Sequence, residues 1–146
     1  MTKKYDLHCH STASDGVLSP TELVRRAYAQ GVNVLALCDH DTIAGIDEAQ
    51  IAAKEVGIEL ITGVEISTNW EGRGIHIVGL NFDKTHPKMT ALLQSQKALR
   101  EKRAVEIGDK LEKAGIPHAY EGAKALADGE VTRAHYARYL VQIGKV

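Results

Sequence analysis

The chain has 146 residues, the length of one ordinary domain. With 44% hydrophobic and 25% charged residues, a packed core is expected. No run of about 18 apolar residues occurs, and the opening MTKKYDLHCH has no apolar h-region, so neither a membrane span nor a secretory signal is predicted. Two cysteines, Cys9 and Cys38, are too few for a disulfide framework, and a cytoplasmic protein with reduced thiols is expected. The net charge of −1 is unevenly spread: residues 1–87 hold 7 basic against 12 acidic residues, and residues 88–146 hold 11 against 7. An acidic half suits cations, and a basic half facing it suits an anionic substrate.

In chain order, Tyr5–His8 reads as a strand entering the polar loop CHSTASDG. Ser19-Pro20-Thr21-Glu22 is a helix start, with Ser19 as N-cap, Pro20 at the first helical position and Glu22 closing a capping box. That helix stops at Gly31. Val32–Leu37 is a short apolar strand, a second helix covers Ile43–Val56, and strands follow over Ile58–Ile61, Val64–Ser67 and Ile75–Leu80. Helices alternating with short buried strands imply parallel βα units with right-handed crossovers. After His86-Pro87 the pattern becomes helical: Lys88–Ala114, a shorter helix near Tyr120–Ala127, and one over Thr132–Ile143. The expected division is 1–87 as barrel-like α/β units and 88–146 as a helical insertion or arm.

The chemistry begins at His8-Cys9-His10. In an extended segment the two imidazoles project to one side and Cys9 to the other. Asp15 lies in the following loop, His40 follows the strand VLAL inside Asp39-His40-Asp41, Glu65 follows ELITGV, and His76 sits in GIHIVGL. Each is predicted at or near a strand end, where the active sites of βα folds gather. Imidazole nitrogens mixed with carboxylate oxygens fit Zn, Mn or Fe. Clustered ions of this kind suit phosphoester hydrolysis, because they lower the pKa of a bound water and hold the attacking and leaving oxygens. A single histidine at a strand end is commonly a hydrogen-bonded structural group; six such groups converging are not so explained. No Ser-His-Asp or Cys-His arrangement points to covalent catalysis.

On the arm, an apolar stripe of Leu92, Leu99, Ile107 and Leu111 carries Arg103 in its middle, with Arg100 near its edge. A guanidinium there suits a phosphate, the alternative being a snorkelling or ion-paired arginine. Thr132-Arg133-Ala134-His135 opens the last helix, where free N–H groups and Arg133 could meet an anion. Ser11, beside His10, is a further candidate phosphate contact.

DLHCHSTASDG (6–16), LCDHDTIAG (37–45, with Cys38 where a Thr is usual) and GVEIS (63–67), followed by GIHIVGL, resemble the motifs of the polymerase and histidinol phosphatase (PHP) family. The resemblance implies a distorted (βα)7 barrel with two or three divalent metal ions. It places His8 and His10 on one metal, Asp15 and His40 on a second, Glu65 bridging and His76 on a third. The helical segment resembles the insertion of the branch containing 3′,5′-nucleoside bisphosphate phosphatases and 5′-to-3′ exoribonucleases, and its Arg-x-His implies that Arg133 and His135 contact substrate phosphate. A nucleotide or short RNA is then the expected substrate. The family's later His-Pro and terminal Asp-x-His motifs have no match here, so the chain resembles the N-terminal half of the domain, and pairing with another chain or with a C-terminal half is expected. The alternatives are a histidinol-phosphate-type phosphatase, which a substrate panel separates, and a non-catalytic or polymerase-associated metal-binding module, which activity after reassembly would exclude.

Overall fold

A computed structural model describes residues 2–146. Four strands form one sheet in chain order: β1 (Tyr5–Cys9), β2 (Val34–Leu37), β3 (Glu59–Trp70) and β4 (Arg73–Leu80). β1 and β2 pair in parallel, as do β2 and β3, and the intervening helices α1 (Pro20–Ala29) and α2 (Ile46–Val56) make the crossovers. α1 starts as its sequence dictates. The Ser19 side chain accepts from the Glu22 N–H, the Glu22 carboxylate reaches back to the Ser19 N–H, and Pro20 occupies the first turn. The fold class is α/β. The first hydrophobic cluster packs Leu35 and Leu37 of β2 against Val24, Ala27, Ile46, Ala49 and Ala53 of α1 and α2.

The structure departs from the sequence reading at three points. The segments Ile58–Ile61 and Val64–Ser67 are one continuous strand, because Gly63 is no breaker. It lies so close to β2 that an added Cβ would sit 2.6 Å from Cys38 Sγ and 2.7 Å from the Leu37 carbonyl oxygen. β4 is antiparallel to β3 rather than part of another parallel unit. Glu71 and Gly72, both at positive φ, close the hairpin. α2 begins at Ile46, not Ile43: Thr42 caps only the Ala44 N–H, and Asp41 is engaged elsewhere.

Three helices follow: α3 (Pro87–Lys113), α4 (Ala119–Ala125) and α5 (Arg133–Gln142). They build a second, separate cluster from Ala104, Ala119, Ala123, Val131 and Tyr136, with Ile107 and Leu111 packed against it. Gly108 lets α3 approach Tyr120 and Tyr136 closely, and the Tyr136 hydroxyl donates to the Ala104 carbonyl at 2.5 Å. The expected apolar stripe of α3 is therefore buried only in its second half; Leu92 and Leu99 are exposed. β4 is exposed along nearly its whole length, including Ile75, Ile77, Val78 and Leu80. Among the described residues no helix is long and apolar enough to cross a membrane.

Since a side chain at position 63 has no room between β2 and β3, Gly63→Ala is expected to destabilise the chain by about 1–3 kcal/mol. Urea denaturation followed by circular dichroism measures this, and an unchanged midpoint would contradict the close approach.

Candidate metal centre

The backbone of β2 and β3 sets the centre of the site. The Glu65 N–H donates to the Asp39 carbonyl and the Asp41 N–H to the Glu65 carbonyl, both at 3.0 Å. This isolated parallel bridge holds His40 opposite Glu65. Antiparallel pairing puts Val78 across from Glu65 and His76 across from Ser67, so β4 delivers His76 to the same face. β1 brings His8, and the loop beyond it brings His10 and Asp15.

The structure thus brings the six sequence candidates together. Glu65 lies at their middle: its carboxylate is 2.8 Å from His8 Nε2, 2.7 Å from His40 Nδ1 and 3.4 Å from His76 Nδ1. Asp15 lies 3.2 Å from His40 Nε2 and 3.6 Å from His10 Nδ1. His8 Nε2 and His10 Nε2 approach to 3.1 Å, the same-side projection expected of an extended His-x-His. Two of the six are not at strand ends as expected: Glu65 and His76 sit within long strands, because the β3–β4 hairpin runs past the site.

Three sets of ligand atoms each lie within 4.8 Å of one another: His8, His10 and Glu65; His10, Asp15 and His40; His40, Glu65 and His76. His10 Nδ1 and His40 Nδ1 are buried and make no well-aligned hydrogen bond, although His40 Nδ1 lies 2.7 Å from the Glu65 carboxylate and His10 Nδ1 3.6 Å from Asp15. Buried polar atoms are ordinarily satisfied, so these nitrogens have the character of ligand atoms. The donor set, imidazole with carboxylate, fits divalent cations of the Mn, Fe or Zn type. The charge states agree. A hydrogen bond from His40 holds the Asp15 carboxyl down at about 2, against the opposing effect of desolvation. Desolvation and the neighbouring His40 lower the His10 pKa, which favours the neutral imidazole that ligates. The thiols take no part: burial pushes Cys9 up to about 12 and Cys38 up to about 11.

Sequence reasoning gave no role to Asp39. It is buried and accepts from the Ser11 N–H at 2.7 Å, the Ser11 hydroxyl at 2.6 Å and the Ser14 hydroxyl at 2.6 Å. It ties the loop carrying Asp15 to the end of β2 carrying His40. Ser11, the expected phosphate contact, is fully buried and its hydroxyl donates to Asp39. His135 is buried as well. It is 2% exposed, and its Nδ1 accepts from the Thr132 N–H at 2.9 Å, closing the α5 capping box. Its role in this structure is to shape the helix start. The reading of Arg103 as a charge on a buried face changes: Arg103 is exposed, and its neighbour Ala104 is buried.

Arg103 and Arg133 line a cavity of about 180 Å³ together with Asp15, His40, His76 and Arg100. Desolvation and the nearby Arg133 and Arg100 lower the Arg103 pKa, so these cations converge. A larger cavity of about 630 Å³ adjoins it through Arg100, walled by Thr12, Pro20, Ile43, Leu93 and Lys97 among others.

The chain belongs to the PHP domain family, with residues 6–141 matched. It is similar to a 5′-3′ exoribonuclease of Haemophilus influenzae, 97% identical over 146 residues, which are all of this chain and 53% of that protein. A 3′,5′-nucleoside bisphosphate phosphatase of Chromobacterium violaceum is 44% identical over 143 residues, covering 97% of this chain and 50% of the relative. Among solved structures, one from Bifidobacterium adolescentis assigned as a metal-dependent phosphoesterase superposes with a TM-score of 0.92 at 29% identity, covering all of this chain and 52% of that one. The chain spans about half the length of the curated relatives it matches.

Removing the Asp39 carboxylate strands three buried donors, so Asp39→Ala is expected to cost about 3 kcal/mol or more. It should also weaken Mn²⁺ binding, because Asp15 and His40 lose their common anchor. Denaturation and calorimetric titration test both parts; a variant as stable as the native chain would contradict the anchor.

Proposed function

We propose that this chain carries the N-terminal part of a metal-dependent phosphoesterase that hydrolyses a phosphate ester of a nucleotide or short RNA. One observation carries the reading: Asp15, His40 and His76 line the same small cavity as Arg103 and Arg133. Ligand atoms for cations and guanidinium groups on one small cavity suit a phosphoryl group.

In this reading His8, His10, Asp15, His40, Glu65 and His76 hold two or three divalent ions of the Mn, Zn or Fe type. The ions, when bound, lower the pKa of a water and neutralise charge on the phosphoryl oxygens. Arg103 and Arg133 orient the phosphoryl group and stabilise charge that builds up on its outer oxygens. Asp39 keeps Asp15 and His40 in register. The adjoining larger cavity has the size of a small-molecule site and offers room for the nucleoside end of the substrate. The exoribonuclease and bisphosphate phosphatase among the relatives act on this class of compound by name.

Phosphate release from nucleoside 3′,5′-bisphosphates and from short 5′-phosphorylated RNA, with Mn²⁺ supplied, tests the reading. It is run on the chain alone and after addition of the C-terminal half of a full-length relative. The expected outcome is Mn-dependent turnover in at least the reassembled protein, abolished by chelation and reduced about a hundredfold or more by His40→Ala. Turnover indifferent to chelation and to His40→Ala would overturn it.

Metal binding should also depend on pH in a stated direction. Asp15 stays ionised far below neutrality, so proton competition falls on the imidazoles. Desolvation and His40 lower the His10 pKa, so Mn²⁺ affinity is expected to hold through neutral pH and to decline only as pH falls below the ordinary imidazole value of about 6.5. A loss confined to about pH 4, the range of free carboxylates, would contradict the imidazole-rich set.

A further inference from the structure

The two hydrophobic clusters of the chain share no residue. One lies between the sheet and α1–α2, the other among α3, α4 and α5. Of the side-chain hydrogen bonds that join the arm to the metal-bearing sheet and its loops, most meet at Asp41 and Ser67. The Asp41 carboxylate is buried, in the residue directly after His40. Its Oδ1 accepts from the Ser67 N–H at 2.9 Å and from Gln96 Nε2 at 2.8 Å, and its Oδ2 from Arg100 Nε at 2.5 Å. Gln96 also donates to the Ser67 carbonyl at 2.7 Å, and Arg100 Nη2 to the Ser67 hydroxyl at 2.9 Å. One carboxylate thus binds β3, two residues past Glu65, to successive turns of α3.

Arg103 lies three residues beyond Arg100, on the part of the helix that reaches the small cavity. Arg133 starts α5, which is fixed to α3 through the Tyr136–Ala104 hydrogen bond and the shared cluster. Arg103 and Arg133 therefore ride on one body. A second polar contact, from Arg138 Nη2 to the Asp15 carbonyl at 2.7 Å, holds the far side of that body to the metal-site loop. The remaining arm contact of this kind, Lys97 with Glu130, is a loose pair within the arm and does not reach the sheet.

We infer that Asp41 is a positioning residue: through Arg100 and Gln96 it seats the helical arm on β3 and so sets where Arg103 and Arg133 stand relative to the metal ligands. The Asp41 side chain bonds to none of the six candidate ligand side chains; the Asp41 N–H donates to the Glu65 carbonyl, a contact that Asp41→Asn keeps. Its backbone is in the left-handed region at φ 54°, which Asp and Asn tolerate better than other side chains bearing a Cβ. Asp41→Asn is therefore the informative change. It keeps the backbone and the Oδ1 acceptor for Ser67 and Gln96, and removes only the charged acceptor for Arg100. That leaves a largely buried guanidinium without its partner.

The arm's seat is read directly from spin labels at two exposed positions of the 146-residue chain, Lys54 on α2 and Glu106 on α3. A narrow distance distribution is expected in the native background and a broadened or shifted one in Asp41→Asn. Arg100→Met, which breaks the same pair from the arm side, should give the same broadening and serves if Asp41→Asn fails to fold. Unchanged distributions in the folded variants would overturn the inference.

The consequence for Arg103 and Arg133 rests on the phosphate reading above, and calorimetry with Mn²⁺ and inorganic phosphate examines it. Asp41→Asn should leave Mn²⁺ affinity within about twofold while weakening phosphate by about tenfold or more, since small displacements of binding groups are expensive. Added to Arg103→Ala plus Arg133→Ala, it should weaken phosphate no further. An additive loss would overturn the positioning role. A native chain that binds Mn²⁺ but no phosphate would sink the phosphoesterase reading instead, and the label distances would still decide the seat of the arm.

Discussion

Glu65 is the constraint on which the site depends. Its carboxylate is nearly buried and stands within reach of three imidazoles from three different segments. A carboxylate in that position requires positive charge or donors close by, and the surrounding chain is arranged to supply them. Gly63 lets β3 press against β2, the His40 bridge fixes the two strands in register, and the hairpin turn at Glu71-Gly72 folds β4 back so that His76 reaches the same face. Fold and site are in this sense one arrangement: a shift of β3 by one residue would turn Glu65 to the opposite face.

Much of this was legible in the sequence because it is local. The His-x-His spacing on an extended strand, the Ser19–Glu22 capping box and the glycines ending α1 and α2 depend only on neighbours in the chain, and the structure shows each of them. What could not be read is long-range. Gly63 looked like a strand end because glycine often is one; its reason is the Leu37 carbonyl and Cys38 sulfur across the sheet. Ser11 reads as a phosphate contact from its place beside His10, and His135 from the resemblance that its Arg-x-His carries. Their partners, Asp39 and Thr132, are what bury them. Asp39 and Asp41 flank His40, and that acidic pair was the one visible signal for two residues that turn out to organise opposite sides of the site.

The arm differs in kind from the sheet it serves. Its helices are held together by an apolar cluster, but its attachment to the sheet is made by hydrogen bonds and an ion pair converging on Asp41, Ser67 and the Asp15 carbonyl. Polar joints of this type fix geometry through direction and distance, where apolar packing tolerates sliding. The joint stands beside the small cavity that Arg103 and Arg133 share with Asp15, His40 and His76. The charge asymmetry of the sequence has its counterpart here: the acidic half contributes the candidate ligands Asp15 and Glu65, and the basic half contributes Arg103 and Arg133, which line a cavity with Asp15.

The central claim is that six side chains from scattered positions hold cations at three adjoining sets of atoms. Anomalous diffraction from crystals of the chain grown with Mn²⁺, collected above the manganese edge, tests it most directly. Peaks are expected among His8, His10 and Glu65, among His10, Asp15 and His40, or among His40, Glu65 and His76, with Glu65 touching at least one ion. Crystals saturated with Mn²⁺ that show no peak touching Glu65 or His40, with ions bound elsewhere on the surface, would contradict the account.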